Sequence, residues 1–142
     1  MADDPFDLWR FVDAQRPVID AVRRELTDGR KRTHWMWFVF PQLAGLGSSP
    51  TSRRYAIGSM DEARAYLAHP VLCPRLVECV ELVNEVEGRT AFEIFGSPDD
   101  MKLRSCLTLF ELVSDDAVFA SALERYFDGV RDHATLNLVA EG

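Results

Sequence analysis

Lysine, cysteine and histidine are scarce in this sequence, long hydrophobic runs are absent, and each shortage narrows what the chain does. Lys31 and Lys102 are the only lysines, and the formal net charge over 142 residues is −7. That charge repels nucleic acid and anionic membranes at long range, so bulk nucleic-acid binding is not expected. The three cysteines, Cys73, Cys79 and Cys106, form no C-x-x-C pair and leave an odd count. This is the pattern of free thiols in a reducing compartment. His34, His69 and His133 lie far apart, and none has a second histidine three or four residues away, so no metal or cofactor is expected. No apolar run approaches the roughly 20 residues that span a bilayer. The acidic opening Met1-Ala2-Asp3-Asp4-Pro5 lacks the basic start and apolar stretch of a secretory signal, which points to a cytoplasmic location.

Apolar residues make up 47% and charged residues 27% of the chain, the profile of an ordinary globular domain with its own core. Repeats, low-complexity tracts and linkers are lacking, so a single domain is expected over residues 1–142. Helix signals recur throughout. Asp4-Pro5 reads as a helix start, and Pro17 starts a second helix whose stripe is Val18, Ile19, Val22 and Leu26, with Gly29 as the stop. Ser59 with Glu62 and Thr90 with Glu93 read as capping boxes. Ser97-Pro98-Asp99-Asp100 reads as a cap, a proline and two acids at the positive end of a helix striped by Leu103, Cys106, Leu107 and Phe110. The count of such segments is roughly seven to nine, many short, which predicts an all-α layered domain rather than a four-helix bundle.

Two segments carry more polar and aromatic groups than a core needs. In the first, the basic run Arg30-Lys31-Arg32 leads through Thr33 and His34 into Trp35-Met36-Trp37-Phe38-Val39-Phe40, then Pro41 and Gln42. Its period is ambiguous, and a short buried helical turn ended at Pro41 is expected, because a lone strand would leave backbone groups without partners. The plain reading of this segment is a core plug behind a solvated basic loop. The functional reading is a pocket. Trp35 or Trp37 would stack on a flat ligand, His34 would move a proton, and the arginines and Lys31 would hold an anion.

The second segment places Asp99, Lys102 and Ser105 on one helical face. Its plain reading is a well-capped core helix, with Cys106 an inert core thiol. Gly45-Leu46-Gly47-Ser48-Ser49 lacks the spacing of a phosphate loop and reads as a turn; the plain reading of Arg53-Arg54-Tyr55 beyond it is a solvated helix start, and the functional reading is a lining of the same mouth. The two segments are expected to meet in space.

These stretches carry a family resemblance over nearly the whole chain. Asp4-Pro5-Phe6-Asp7-Leu8, the run Gly29 to Gln42, Gly45-Leu46-Gly47, Tyr55-Ala56-Ile57, His69-Pro70, Phe95-Gly96 with Pro98-Asp99-Asp100 and Lys102, and Thr108-Leu109-Phe110 together resemble the bacterial domain-of-unknown-function family 1810. Cys73 departs from an expected glycine, and Cys106-Leu107 from a serine-methionine-like pair; neither touches the polar positions. Members often carry the label calpastatin. Calpastatin inhibitory segments are disordered and repetitive, whereas this chain has a patterned core and no repeat. The resemblance implies an all-helical fold, similar at fold level to NADAR-type domains associated with ADP-ribose and N-glycosidic chemistry.

The expected function is therefore binding of a nucleotide-like or phosphorylated small ligand, with N-glycosidase action on an ADP-ribose-type compound as its enzymatic form. His34 and Asp99 are the candidate catalytic residues; Arg30, Lys31, Arg32, Trp35, Trp37, Gln42, Tyr55, Lys102 and Ser105 are the candidate ligand-binding residues. The alternative is a non-catalytic protein–protein interaction module whose aromatics form a core or a partner patch.

Overall fold

Prolines, glycines and capping side chains set the helix boundaries seen in the computed structural model, which describes residues 3–141. Among them are ten helices: α1 (Trp9–Gln15), α2 (Ile19–Thr27), α3 (Met36–Val39), α4 (Pro50–Arg54), α5 (Met60–Ala68), α6 (Leu72–Glu85), α7 (Ala91–Phe95), α8 (Asp99–Val113), α9 (Ala117–Phe127) and α10 (His133–Glu141). Seven of the ten run for seven residues or more. Among the described residues the β pairing is one isolated parallel bridge, Leu43 with Ile57. The molecule is all-α, as its patterning predicts. No helix among the described residues is long and apolar enough to cross a membrane.

The long helix α8 is the centre of the packing. Its predicted stripe of Leu103, Cys106, Leu107 and Phe110 is buried, and Ser105, Thr108 and Leu109 are buried beside it. An apolar face wider than one stripe needs neighbours on several sides, and α5, α7, α9 and α10 supply them. A second layer forms where α6 packs on α2, α5 and α9. Burial raises the Cys106 thiol well above its ordinary value and pushes Cys79 up to about 12, so both behave as small apolar residues.

The aromatic block is divided by a single helical turn. In α3, Met36 and Val39 face inward with the flanking Trp35 and Phe40, while Trp37 and Phe38 are left half-buried. Positions three and four apart share a helix face, so a run that is apolar in every direction splits into a core half and a surface half. The core half joins Phe95, which meets Phe40 edge-on at 5.8 Å.

Three helix starts differ in detail from their sequence signals. Asp4 caps from outside: its carboxylate accepts from the Leu8 and Trp9 N–H groups, four and five residues on. Ser59 caps Glu62 N–H as expected, but the Glu62 carboxylate turns to Gly58 N–H and to Arg10, 2.8 Å away. A long-range cation outcompetes the second arm of that box. Pro98, not Ser97, stands at the cap of α8 without a side-chain bond. The box at Thr90 and Glu93 is complete.

Candidate functional site

The basic loop before the aromatic block is shaped by a carboxylate that sequence reading passed over. Gly29, at φ +72°, turns the chain out of α2; a left-handed conformation of this kind costs glycine nothing. From there Glu25, only 5% exposed, gathers four bonds. Its Oε1 accepts from Arg32 N–H, Thr33 N–H and Trp35 Nε1, at 2.7, 3.0 and 3.0 Å, and its Oε2 from Thr33 Oγ1 at 2.7 Å. Lys31 N–H donates to Ile94 O at the end of α7. Held at both ends, the loop turns Lys31 inward and leaves Arg30 and Arg32 outside.

The inward lysine meets the other motif. Lys31 Nζ lies 3.0 Å from one oxygen of Asp99, and Lys102 Nζ lies 3.0 Å from the other. Both lysines of the chain therefore converge on one carboxylate, with side chains only 8% and 19% exposed. Lys102 Nζ also sits 4.0 Å from the centroid of the Trp37 ring, inside cation–π range. Burial raises the Asp99 carboxyl, but the bonds from Lys102 and Lys31 outweigh it and hold the group below its ordinary value. Asp99 is thus a fixed anion and a weak base.

Around this cluster the surface is concave. A cavity of about 170 Å³ is lined by Lys31, His34, Trp37, Thr51, Asp99 and Lys102. A second, of about 300 Å³, shares Trp37 and Lys102 and adds Gln42, Ser105 and Asp132. A third, of about 110 Å³, shares Trp37 and Gln42 and adds Tyr55, Arg53 and the chain from Leu43 to Gly47. Trp37 is a wall of all three. The two segments singled out in the sequence do meet.

Not every candidate residue takes part. Arg30 and Arg32 line none of these cavities; Arg32 pairs instead with Asp28 at 3.0 Å on the surface. Trp35 borders the smaller lysine cavity but is 1% exposed, with its Nε1 committed to Glu25. It has no free face for a ligand, so Trp37 is the stacking candidate. Ser105 is buried, and its hydroxyl donates to Met101 O. Arg53 lines the cleft beside Tyr55, at the mouth where the sequence places it. Thr51, in the short α4, and Asp132, in the loop before α10, also line it and carry no periodic signal in the sequence. Among the described residues, no three His, Cys, Asp or Glu side chains are grouped as metal ligands.

The loop under the smallest cavity depends on a close approach. A Cβ at Gly47 would lie 2.7 Å from Ser52 Cβ, 2.8 Å from Ser52 Oγ and 3.3 Å from the Trp37 ring. Ser52 is buried at the start of α4 and cannot swing away. Gly47→Ala is expected to cost about 1–3 kcal/mol by overpacking, read as a lower urea midpoint. Adding Ser52→Gly should recover part of that loss, because the two side chains would no longer collide. A double variant no better than the single one would show that the strain lies elsewhere.

The chain is similar to known proteins over most of its length. The conserved hypothetical protein Rv1873 from Mycobacterium tuberculosis, known from a crystal structure, is 57% identical; the match covers 96% of this chain and 99% of that one, with a TM-score of 0.95. No curated protein matches. The family model described as "Protein of unknown function (DUF1810)" matches residues 5–139, and the chain belongs to that family.

Proposed function

We propose that the cleft around Trp37 binds a phosphorylated, nucleotide-like small ligand. The observation that carries this reading is the convergence of Lys31 and Lys102 on Asp99 beside the Trp37 ring. As a device for stability the cluster is poor. Two ammonium groups and one carboxylate at a cavity wall lose hydration, and an apolar replacement of an ion pair is often as stable or more so. As a receptor for an anion it is apt. The cluster carries one surplus positive charge, and a phosphate offers oxygens that compete with Asp99 for the same donors. The adjoining indole supplies the flat surface that a heterocycle stacks on.

The enzymatic form of this reading is hydrolysis of an N-glycosidic bond in an ADP-ribose-type compound, which the fold-level analogy to NADAR-type domains also suggests. Water adds to the anomeric carbon as the carbon–nitrogen bond breaks, and the departing base takes up a proton. Asp99, fixed as an anion, suits stabilising positive charge on the sugar rather than accepting a proton. His34, which lines the same cavity, is the group left to move the proton.

The competing reading, a protein-interaction module, draws on Trp9 and Phe92, which are 54% and 60% exposed. A thermal-shift panel of ADP-ribose, NAD, nucleotides and nucleosides separates the two. A ligand at about 100 times its Kd adds about 2.7 kcal/mol, hence several degrees of Tm. The expected result is a shift for phosphorylated compounds in wild type that disappears in a folded Lys102→Ala variant. If no compound shifts the wild type, the interaction reading takes its place. If one does, a His34→Ala variant that still binds it but has lost turnover would support the hydrolytic form.

A further inference from the structure

Gln42 is the one side chain of the cleft whose condition the lysine cluster does not explain. It is 8% exposed, and its Nε2 has no hydrogen-bond partner among the described residues. A buried donor without an acceptor costs free energy, and most folds avoid it. Nothing about the backbone there is loose. Gln42 O accepts from Ile57 N–H, and Ala44 N–H donates to Ile57 O, each at 2.8 Å, which pins the chain on both sides of the residue through the Leu43–Ile57 bridge. The fold thus holds an unpaired amide in a fixed place.

That place is the junction of two cavities. Gln42, Trp37 and Leu46 are the residues shared by the small cavity of about 110 Å³ and the larger one that Lys102 lines, and Gln42 is the polar one of the three. Its terminal torsion is soft, so the amide turns at little cost toward either space. The small cavity has aromatic walls at Trp37 and Tyr55, small residues at Ala44, Gly45 and Gly47, and Arg53 as its one charged side chain, a setting in which a flat ring can stack.

We propose that Gln42 is the specificity-determining residue of the cleft and reads the edge of a planar heterocycle seated in the small cavity, a nucleobase of the aminopurine or lactam type. This rests on the reading of the cleft as a phosphorylated-ligand site. A carboxamide presents a donor and an acceptor side by side, which matches a base edge carrying the complementary pair. The lysines hold the phosphate end, Trp37 forms the wall between, and Gln42 distinguishes one base from another.

The test measures binding of adenosine diphosphate, guanosine diphosphate and inorganic pyrophosphate to wild type, Gln42→Leu and Lys102→Ala by calorimetry, with the melting temperature of each protein alone. Wild type is expected to bind one nucleoside diphosphate at least about tenfold tighter than pyrophosphate, and Gln42→Leu to erase that excess while leaving pyrophosphate affinity unchanged. Gln42→Leu without ligand should melt at or above the wild-type temperature, because an orphaned amide is replaced by an apolar group of similar size. A marked fall in melting temperature would show a structural amide and overturn the proposal. Equal nucleotide affinity in wild type and Gln42→Leu would also overturn it, with pyrophosphate binding to wild type, and its loss in Lys102→Ala, still upholding the lysine site. If wild type binds neither pyrophosphate nor nucleotide, the reading of the cleft fails and this inference falls with it.

Discussion

Glu25→Ala is expected to lower stability by about 3 kcal/mol and to abolish binding at the lysine cluster together with it. The carboxylate accepts from Arg32, Thr33 and Trp35, and alanine strands all of them. The loop N–H groups of Arg32 and Thr33 regain water, but Trp35, whose indole carries Nε1, is only 1% exposed and does not, so its loss is felt in full. Released from Glu25, the loop no longer aims Lys31 at Asp99. Glu25→Gln is the finer probe, since it keeps the shape and one accepting oxygen.

The two proteins should differ in acid. Burial raises the Glu25 carboxyl, but the bonds from Arg32, Thr33 and Trp35 outweigh it and bring its pKa from 4.5 to about 2. A folded pKa below the unfolded one gives stability that is present above the unfolded value and is lost as pH falls through the folded one. The loss therefore runs from about pH 4.5 down to about pH 2 and amounts to about 3 kcal/mol. Urea midpoints across that range should fall steeply in wild type and less so in Glu25→Gln. Parallel curves would mean that another group sets the acid limb.

Asp99→Asn should weaken the free protein and strengthen its grip on phosphate. Removing the carboxylate charge leaves Lys31 and Lys102, 8% and 19% exposed, without a counter-ion. Breaking a fully buried pair costs about 3–5 kcal/mol; partial solvation of these two brings the expectation to about 2–3 kcal/mol. The same change frees both ammonium groups, so pyrophosphate should bind about tenfold or more tightly and restore much of the lost stability by mass action. Lys102→Ala should act in the opposite sense and weaken pyrophosphate binding by a factor of about 10 or more. The opposed pair of results is the signature of a site in which Asp99 stands where a ligand anion will stand. Equal or weaker pyrophosphate affinity in Asp99→Asn would show that the lysines are turned to structure and not to a ligand.

The candidate site was legible in part. Lys31, His34, Trp37, Gln42, Tyr55, Asp99, Lys102 and Ser105 were marked by type and local clustering, and all eight line the cleft. Arg30 and Arg32 were marked for the same reason as Lys31, yet only Lys31 turns inward. Charge in sequence gives no direction; the bonds to Glu25 and Ile94 do. Glu25 carries no local mark in the sequence, because a carboxylate's role depends on donors that arrive from residues seven to ten positions later. Trp35 and Trp37 looked interchangeable, and the turn at α3 placed one in the core and the other on the cleft.

Helix content and the apolar stripe of the central helix follow from local physics. Proline and glycine restrict or free the backbone where they stand, and a stripe at helical spacing must be buried against something. These are properties of neighbouring residues, so they can be read along the chain. Which lysine meets which carboxylate, which indole keeps an open face, and which amide is left without a partner are settled only when α3, α8 and the loop after α2 come together. Such contacts join residues as distant as Lys31 and Asp99, and their energies depend on burial and competing partners that exist only in the packed molecule.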